Sequence, residues 1–233
     1  MKSFERSRSV YALAAALLLS ACQTTQKTPI DNPSTQEGLV RVDTKGVDAA
    51  YKKPGANLAV YSKVLLRQPV TVSFNRNWKP EQDSALYSMN QPDREKIKQE
   101  LSAAFAEGFK QVLDEKGGYQ MVTEPAKDVL EVQAAIVNLY INAPDVSMQT
   151  AARVRTYTAD AGEMTLISEL RDSVTGALLA RIYDRREGMD TGTWTWTSSV
   201  TNSADAKREI RRWAELLKKA LDASRTPAAP AKT

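Results

Sequence analysis

Val64, Leu66, Val70, Val72 and Phe74 share one parity along the chain, and Arg67, Thr71 and Ser73 take the other. That alternation predicts a strand with one buried face. Gln68-Pro69 interrupts it, and a proline inside a strand pattern points to an edge or a bulge. Asn75 to Gln91 is polar and predicts a long loop. Pro92 then suits a first helical turn. Ile97, Leu101, Ala104, Phe105, Gly108 and Val112 recur at helical spacing until Gly117-Gly118 stop the pattern. Tyr119 to Thr123 reads as a short strand. From Val129 to Ile141 the inward set begins as Leu130, Val132, Ala134 and Ile136 and changes to Val137, Leu139 and Ile141. The change of parity predicts a β-bulge or a bend near Ala135.

Glu163–Arg171 and Ala177–Arg185 flank the turn Asp172-Ser173-Val174-Thr175-Gly176. Met164, Leu166 and Leu170 alternate with Glu163, Thr165 and Glu169, which predicts a hairpin with one solvated face. On that face Glu169 and Arg171 would meet Arg181 and Arg185 in a cross-strand charge ladder. A last helix is predicted from an N-cap at Asn202 or Ser203, with Asp205 near its positive end. Its apolar stripe is Ala206, Ile210, Trp213, Ala214, Leu217, Ala220 and Leu221. The order of elements implies an α+β domain. The expectation is a mostly antiparallel or mixed sheet of four to five strands with two long helices on one face.

The flanks are different. Val10 to Leu19 is an apolar run preceded by Lys2, Arg6 and Arg8 and followed by Ser20 and Ala21. A charged start, a short apolar run and small residues make a signal peptide. The run is about half the ~20 residues that a membrane-spanning helix needs. Leu19-Ser20-Ala21-Cys22 resembles the lipobox of bacterial lipoproteins. The resemblance implies cleavage between Ala21 and Cys22, a diacylglycerol thioether on Cys22 and an acyl chain on the new amino terminus. Several acyl chains anchor stably where one binds reversibly. Gln23 stands where aspartate would, in enterobacterial lipoproteins, retain the protein at the inner membrane. The implied location is therefore the periplasmic face of the outer membrane. The expected organisation is a signal peptide over 1–21, a lipidated tether over 22–57, the domain over 58–222 and an Ala/Pro-rich disordered tail over 223–233.

Composition narrows the chemistry. The chain has no histidine and one cysteine, Cys22. That removes Ser-His-Asp and Cys-His catalysis, thiolate and histidine metal sites, and internal disulfides. No catalytic residue, metal or cofactor is expected beyond the lipid on Cys22. Removing residues 1–21 takes three basic residues and one acidic one, so the net charge falls from +4 to about +2. No basic, aromatic-interleaved motif is present, which argues against nucleic acid.

Two longer stretches carry a family likeness. Tyr51 to Lys79 and Ile167 to Gly188, together with the Trp213-Ala214 helix, resemble domain of unknown function 3313, an uncharacterised bacterial lipoprotein family. The likeness spans about Gly46 to Ala223, and its most specific part is the Asp172–Gly176 turn with Leu179-Ala180-Arg181. It implies one periplasmic domain on a lipid anchor and brings no catalytic residue or ligand with it.

Among the residues, Glu169, Asp172 and Asp184 could form a carboxylate pair of glycosidase type, or be part of a charged outer face neutralised by arginine. Trp194 and Trp196 share a parity in Thr193-Trp194-Thr195-Trp196-Thr197. They could be an exposed platform for a glycan or partner protein, or a short edge strand whose rings cap the core. Trp78 carries the same two readings. Ala143 to Asp160 reads as a loop beside these tryptophans. The sequence thus favours a non-enzymatic envelope domain binding a protein or polymer. The alternatives are a hydrolase using carboxylates alone and a subunit of an envelope assembly or secretion complex.

Overall fold

In a computed structural model of the protein, residues 37–78, 91–141, 156–158, 162–187, 195–197 and 199–226 are described. For 156–158, 195–197 and 199–202 the backbone alone is described. The strands are β1 (Val40–Val42), β2 (Ala49–Lys52), β3 (Lys63–Leu66), β4 (Thr71–Phe74), β5 (Gln120–Met121), β6 (Val129–Tyr140), β7 (Thr156–Thr158), β8 (Glu163–Asp172), β9 (Leu178–Glu187) and β10 (Thr195–Thr197). The long helices are α1 (Gln91–Phe109), which runs into a π-helical turn over Lys110–Glu115, and α2 (Ser199–Arg225).

The architecture is α+β, as the alternation implied, but the sheet is larger than four to five strands. Eight strands form one mixed sheet in the order β1-β2-β9-β8-β6-β3-β5, with β4 also on β6, and β7 and β10 form a separate antiparallel pair. The strands the pattern does not predict, β1 and β2, are three and four residues long, too short to show a period, and the one strand expected over Val64–Phe74 is divided into β3 and β4. The folded part also begins before residue 58. Ala50 and Tyr51 of β2 are buried and pair with Ile182 and Arg181 of β9, inside the stretch expected to be a tether.

β3 and β4 both run parallel to β6, β3 along Val129–Val132 and β4 along Ala135–Leu139, with Gln68-Pro69 at the break between them. The expected bulge in β6 exists three residues later than the pattern placed it. The register of β6 on β8 shifts between Val137 and Tyr140, and Asn138 has φ 54°. Asparagine is among the few side chains that tolerate that conformation. The residue after the shift that faces the core is Leu139, while Val137 is only half-buried.

One core joins the inward sheet residues to both helices. Leu130, Val132, Ile136, Met164, Leu166 and Leu170 meet Phe105, Phe109, Ile210, Trp213, Leu217 and Leu221. Phe105 stacks on Phe109 at 4.1 Å, and its ring is 6.5 Å from that of Trp213. The helices approach closely at Gly108, where an added Cβ would lie 2.9 Å from Ile210 Cγ2. α2 begins at Ser199, earlier than the expected cap, so Asp205 sits past the first turn and pairs with Arg208 at 2.8 Å. Ala220, assigned to the stripe, is exposed.

Candidate functional site

The β8–β9 hairpin holds all three carboxylates that the sequence nominates. On its outer face Glu169 opposes Arg181 in register, and its Oε1 accepts from Arg181 Nη2 at 2.6 Å. Its other oxygen accepts from Arg171 Nη2 at 2.7 Å, and Arg181 also pairs with Glu37. Burial alone would raise the Glu169 carboxyl, but the hydrogen bonds from Arg171 and Arg181 hold it below the ordinary range. Arg185 pairs instead with Glu163 and Glu187. Of the expected ladder the cross-strand pair Glu169–Arg181 is present, Arg171 joins Glu169 from the same strand, and Arg185 goes to Glu163 and Glu187. A carboxylate so held is no proton donor at neutral pH.

Asp172 belongs to the turn. Its Oδ1 accepts from the backbone N–H of Thr175 at 2.8 Å and of Val174 at 3.2 Å, and from the Thr175 hydroxyl at 2.8 Å. Its Oδ2 accepts from the Tyr61 hydroxyl at 2.9 Å. The Thr175 hydrogen bonds lead in lowering its pKa. Gly176 closes the turn at φ 69°, a conformation that suits glycine. Next to it, Ser173 Oγ accepts from Ala126 N at 3.2 Å and donates to Ala126 O at 3.0 Å. At the same end of the sheet Tyr119 donates to Asp222 Oδ1 at 2.7 Å, and the Arg225 guanidinium lies 4.3 Å over the Tyr119 ring while donating to Tyr61 O. The Asp172–Gly176 segment thus ties the hairpin to Tyr61 and to the loop at Ala126, and Tyr61 in turn is held to the end of α2 by Arg225. Burial, followed by the Asp172 and Asp222 hydrogen bonds, pushes the Tyr61 and Tyr119 phenols up to about 12.

Asp184 departs from the expectation that the carboxylates share an outer face. It lies opposite Leu166 in register, so its side chain points into the core, and it is 1% exposed. Its Oδ2 accepts from Trp213 Nε1 at 2.6 Å and Arg186 Nε at 2.6 Å, and its Oδ1 accepts from Asp48 N at 3.2 Å. Burial raises its pKa against the opposing pull of Trp213 and Arg186. Arg186 also reaches Glu209 of α2 at 3.8 Å and donates to Gly46 O. Glu209 Oε2 is buried with no hydrogen-bond partner among the described residues. Glu169 and Asp184 therefore occupy opposite faces of one sheet, and the two-carboxylate arrangement is not assembled. The readable clue was parity: Asp184 falls in step with Ala180, which is buried.

Trp78 is 3% exposed. It stacks on Phe74 at 4.6 Å and donates to Ile141 O at 3.0 Å, with Arg94 5.1 Å over its ring. Of its two readings the structure takes the buried one. Trp196 lies in β10, opposite Tyr157 in register, so part of the expected loop is a strand beside it. Trp194 and the lipobox residues Leu19, Ser20, Ala21 and Cys22 lie outside the described residues, as does the tail beyond Thr226. Among the described residues, no group of three or more histidine, cysteine or acidic side chains could hold a metal ion. Nor is any helix there long and apolar enough to cross a membrane.

No curated protein matches the chain. Among solved structures, the PelC dodecamer from Paraburkholderia phytofirmans aligns at 13% identity and a TM-score of 0.37, over 72% of this chain and 96% of that one. A minor lipoprotein from Acinetobacter baumannii aligns at 12% identity and a TM-score of 0.34, over 73% of this chain and 99% of that one. Likeness at that level carries neither fold detail nor function across. A family model does match, described as a protein of unknown function, DUF3313, over residues 34–217, and the chain belongs to that family.

Proposed function

We propose that this chain is a lipid-anchored envelope lipoprotein whose α+β domain is a non-enzymatic binding or structural module. The observation that carries the reading is Leu19-Ser20-Ala21-Cys22 behind a charged start and a short apolar run. Gln23 favours the outer membrane, with the domain on its periplasmic side. The non-enzymatic part is supported by the carboxylates. Glu169 is held by two arginines, Asp172 closes a turn, and Asp184 fastens a tryptophan. Each has a structural task, and Glu169 and Asp184 lie on opposite faces of the sheet.

Cys22→Ser tests the anchor. The wild type should take up a clickable palmitate analogue and fractionate with the outer membrane, and the serine variant should remain an unlabelled, uncleaved precursor. A serine variant that still labels overturns the assignment. In-cell crosslinking with mass spectrometry of the wild type then identifies what the domain holds.

A further inference from the structure

The charged surfaces of the domain are unequal. On the sheet's outer face the arginines are matched by acids: Arg67 with Glu131, Arg171 and Arg181 with Glu169, Arg185 with Glu163. The exposed side of α1 and the π-helical turn that continues it is balanced as well, with Lys96 and Lys110 against Glu100 and Glu107. α2 differs. Beside the surface pair of Lys218 with Asp222, it exposes Lys207, Arg211, Arg212 and Lys219, with Glu215 as the one exposed acid between them. At 100° per residue these five positions fall within an arc of about 140°, opposite the buried Ile210, Trp213, Ala214, Leu217 and Leu221. Lys207, Arg211 and Lys219 form no ion pair among the described residues, and Arg212 comes only to 4.0 Å from Glu209.

From Lys207 to Lys219 the row is ~18 Å long at 1.5 Å per residue. Its cations stand apart on a convex helix and converge on no single point. A pocket for one small anion needs converging donors. A row of separate cations suits a flat, laterally extended array of negative charge.

We propose that the solvent face of α2 is an electrostatic docking surface for an anionic lipid bilayer. The proposal rests on the lipid-anchor reading, since an anchored domain meets the bilayer surface continually. Charge complementarity names the occupant: cations near an anionic leaflet gain roughly fivefold in partitioning each. With Glu215 subtracted, the patch is worth on the order of a hundredfold. The attraction acts within a Debye length of ~10 Å at 0.1 M salt, so it orients a tethered domain without inserting it.

Vesicle sedimentation tests this on the processed chain, residues 22–233, carrying Cys22→Ser so that no acyl chain contributes. Equimolar phosphatidylcholine and phosphatidylglycerol vesicles should bind it on the order of a hundredfold better than phosphatidylcholine alone. Salt near ~1 M, where the Debye length is about 3 Å, should abolish the difference. The variant with Lys207→Gln, Arg211→Gln, Arg212→Gln and Lys219→Gln should lose it while melting like the parent. Lys96→Gln with Lys110→Gln, on α1 and the π-helical turn after it, should keep it. Equal binding to both vesicles, or undiminished binding by the quadruple variant, overturns the proposal. Binding to polyglutamate but not to vesicles overturns it in favour of an acidic protein partner. Because this protein lacks the thiol, the outcome is independent of whether wild-type Cys22 takes the palmitate label.

Discussion

At the turn end of the β8–β9 hairpin, Asp172 and Asp222 sit near the surface and collect hydrogen bonds from backbone amides, hydroxyls and Lys218, which lower their pKa values. At the other end Asp184 is buried against Trp213 and Arg186, and burial raises its pKa. Both ends pin α2 to the sheet through a carboxylate and an aromatic donor, with Tyr119 at one and Trp213 at the other. The difference is solvent. Where water still reaches the carboxylate, each donor lowers its pKa. Where water is gone, the same kinds of donor offset only part of the desolvation. The two ends should therefore respond to pH with opposite sign.

The largest break of this comparison is Trp213→Ala. It removes a buried ring and leaves Asp184 without one of its donors, and should cost about 3–5 kcal/mol in denaturant unfolding. Trp213→Phe sharpens the result, because it keeps most of the ring and loses the indole N–H; about 1–3 kcal/mol is expected. A smaller loss from the alanine than from the phenylalanine variant would contradict the packing. At the turn end Tyr61→Phe removes one hydrogen bond to Asp172 and should cost about 1 kcal/mol. An absorbance titration should also lose one phenol ionising near about 12.

How much of this was legible in the sequence depends on strand length. β6, β8 and β9 are ten to twelve residues long, and their alternation, turn and charge ladder can be read directly. β1 and β2 have three and four residues, too few for a clear period-2 signal. The bulge lies later than the parity implies because Val137 is apolar yet only half-buried; Asn138 is the better local marker. Charge alone suggests an outer position for Asp184, whereas the register of β9 fixes an inner one. Its partner Trp213 is 29 residues further on, a pairing that no local pattern reveals.

The pH comparison follows from linkage. Asp172 and Asp222 have lowered folded pKa values, so their contribution is present above the unfolded carboxylate range and lost as pH falls through the folded values. Asp184 has a raised one, so its contribution is full below the ordinary range and lost as pH rises through the folded value. Melting of Asp184→Asn against wild type from acid to neutral pH should shift in favour of the variant as pH rises. Asp172→Asn should lose most ground at neutral pH and converge with wild type in acid. A parallel shift of both variants across the range would remove the contrast. The smallest effect belongs to Lys218→Ala, whose (i, i+4) pair with Asp222 is on the helix surface; less than about 0.5 kcal/mol is expected from its melting curve.

The place of β2 in the sheet sets an order on how the chain can close. Ala49 lies opposite Tyr183 and Lys52 opposite Ala180, so a strand from the beginning of the domain waits for one from near its end. Contacts across such a sequence separation form slowly, since the intervening chain must be ordered before the pairing is rewarded. During synthesis or passage amino-terminus first, Ala50 and Tyr51 have only the three-residue β1 to pair with until β9 arrives. A chain truncated before Leu178 would keep the apolar side chains of its first strands and lack the strand that covers them.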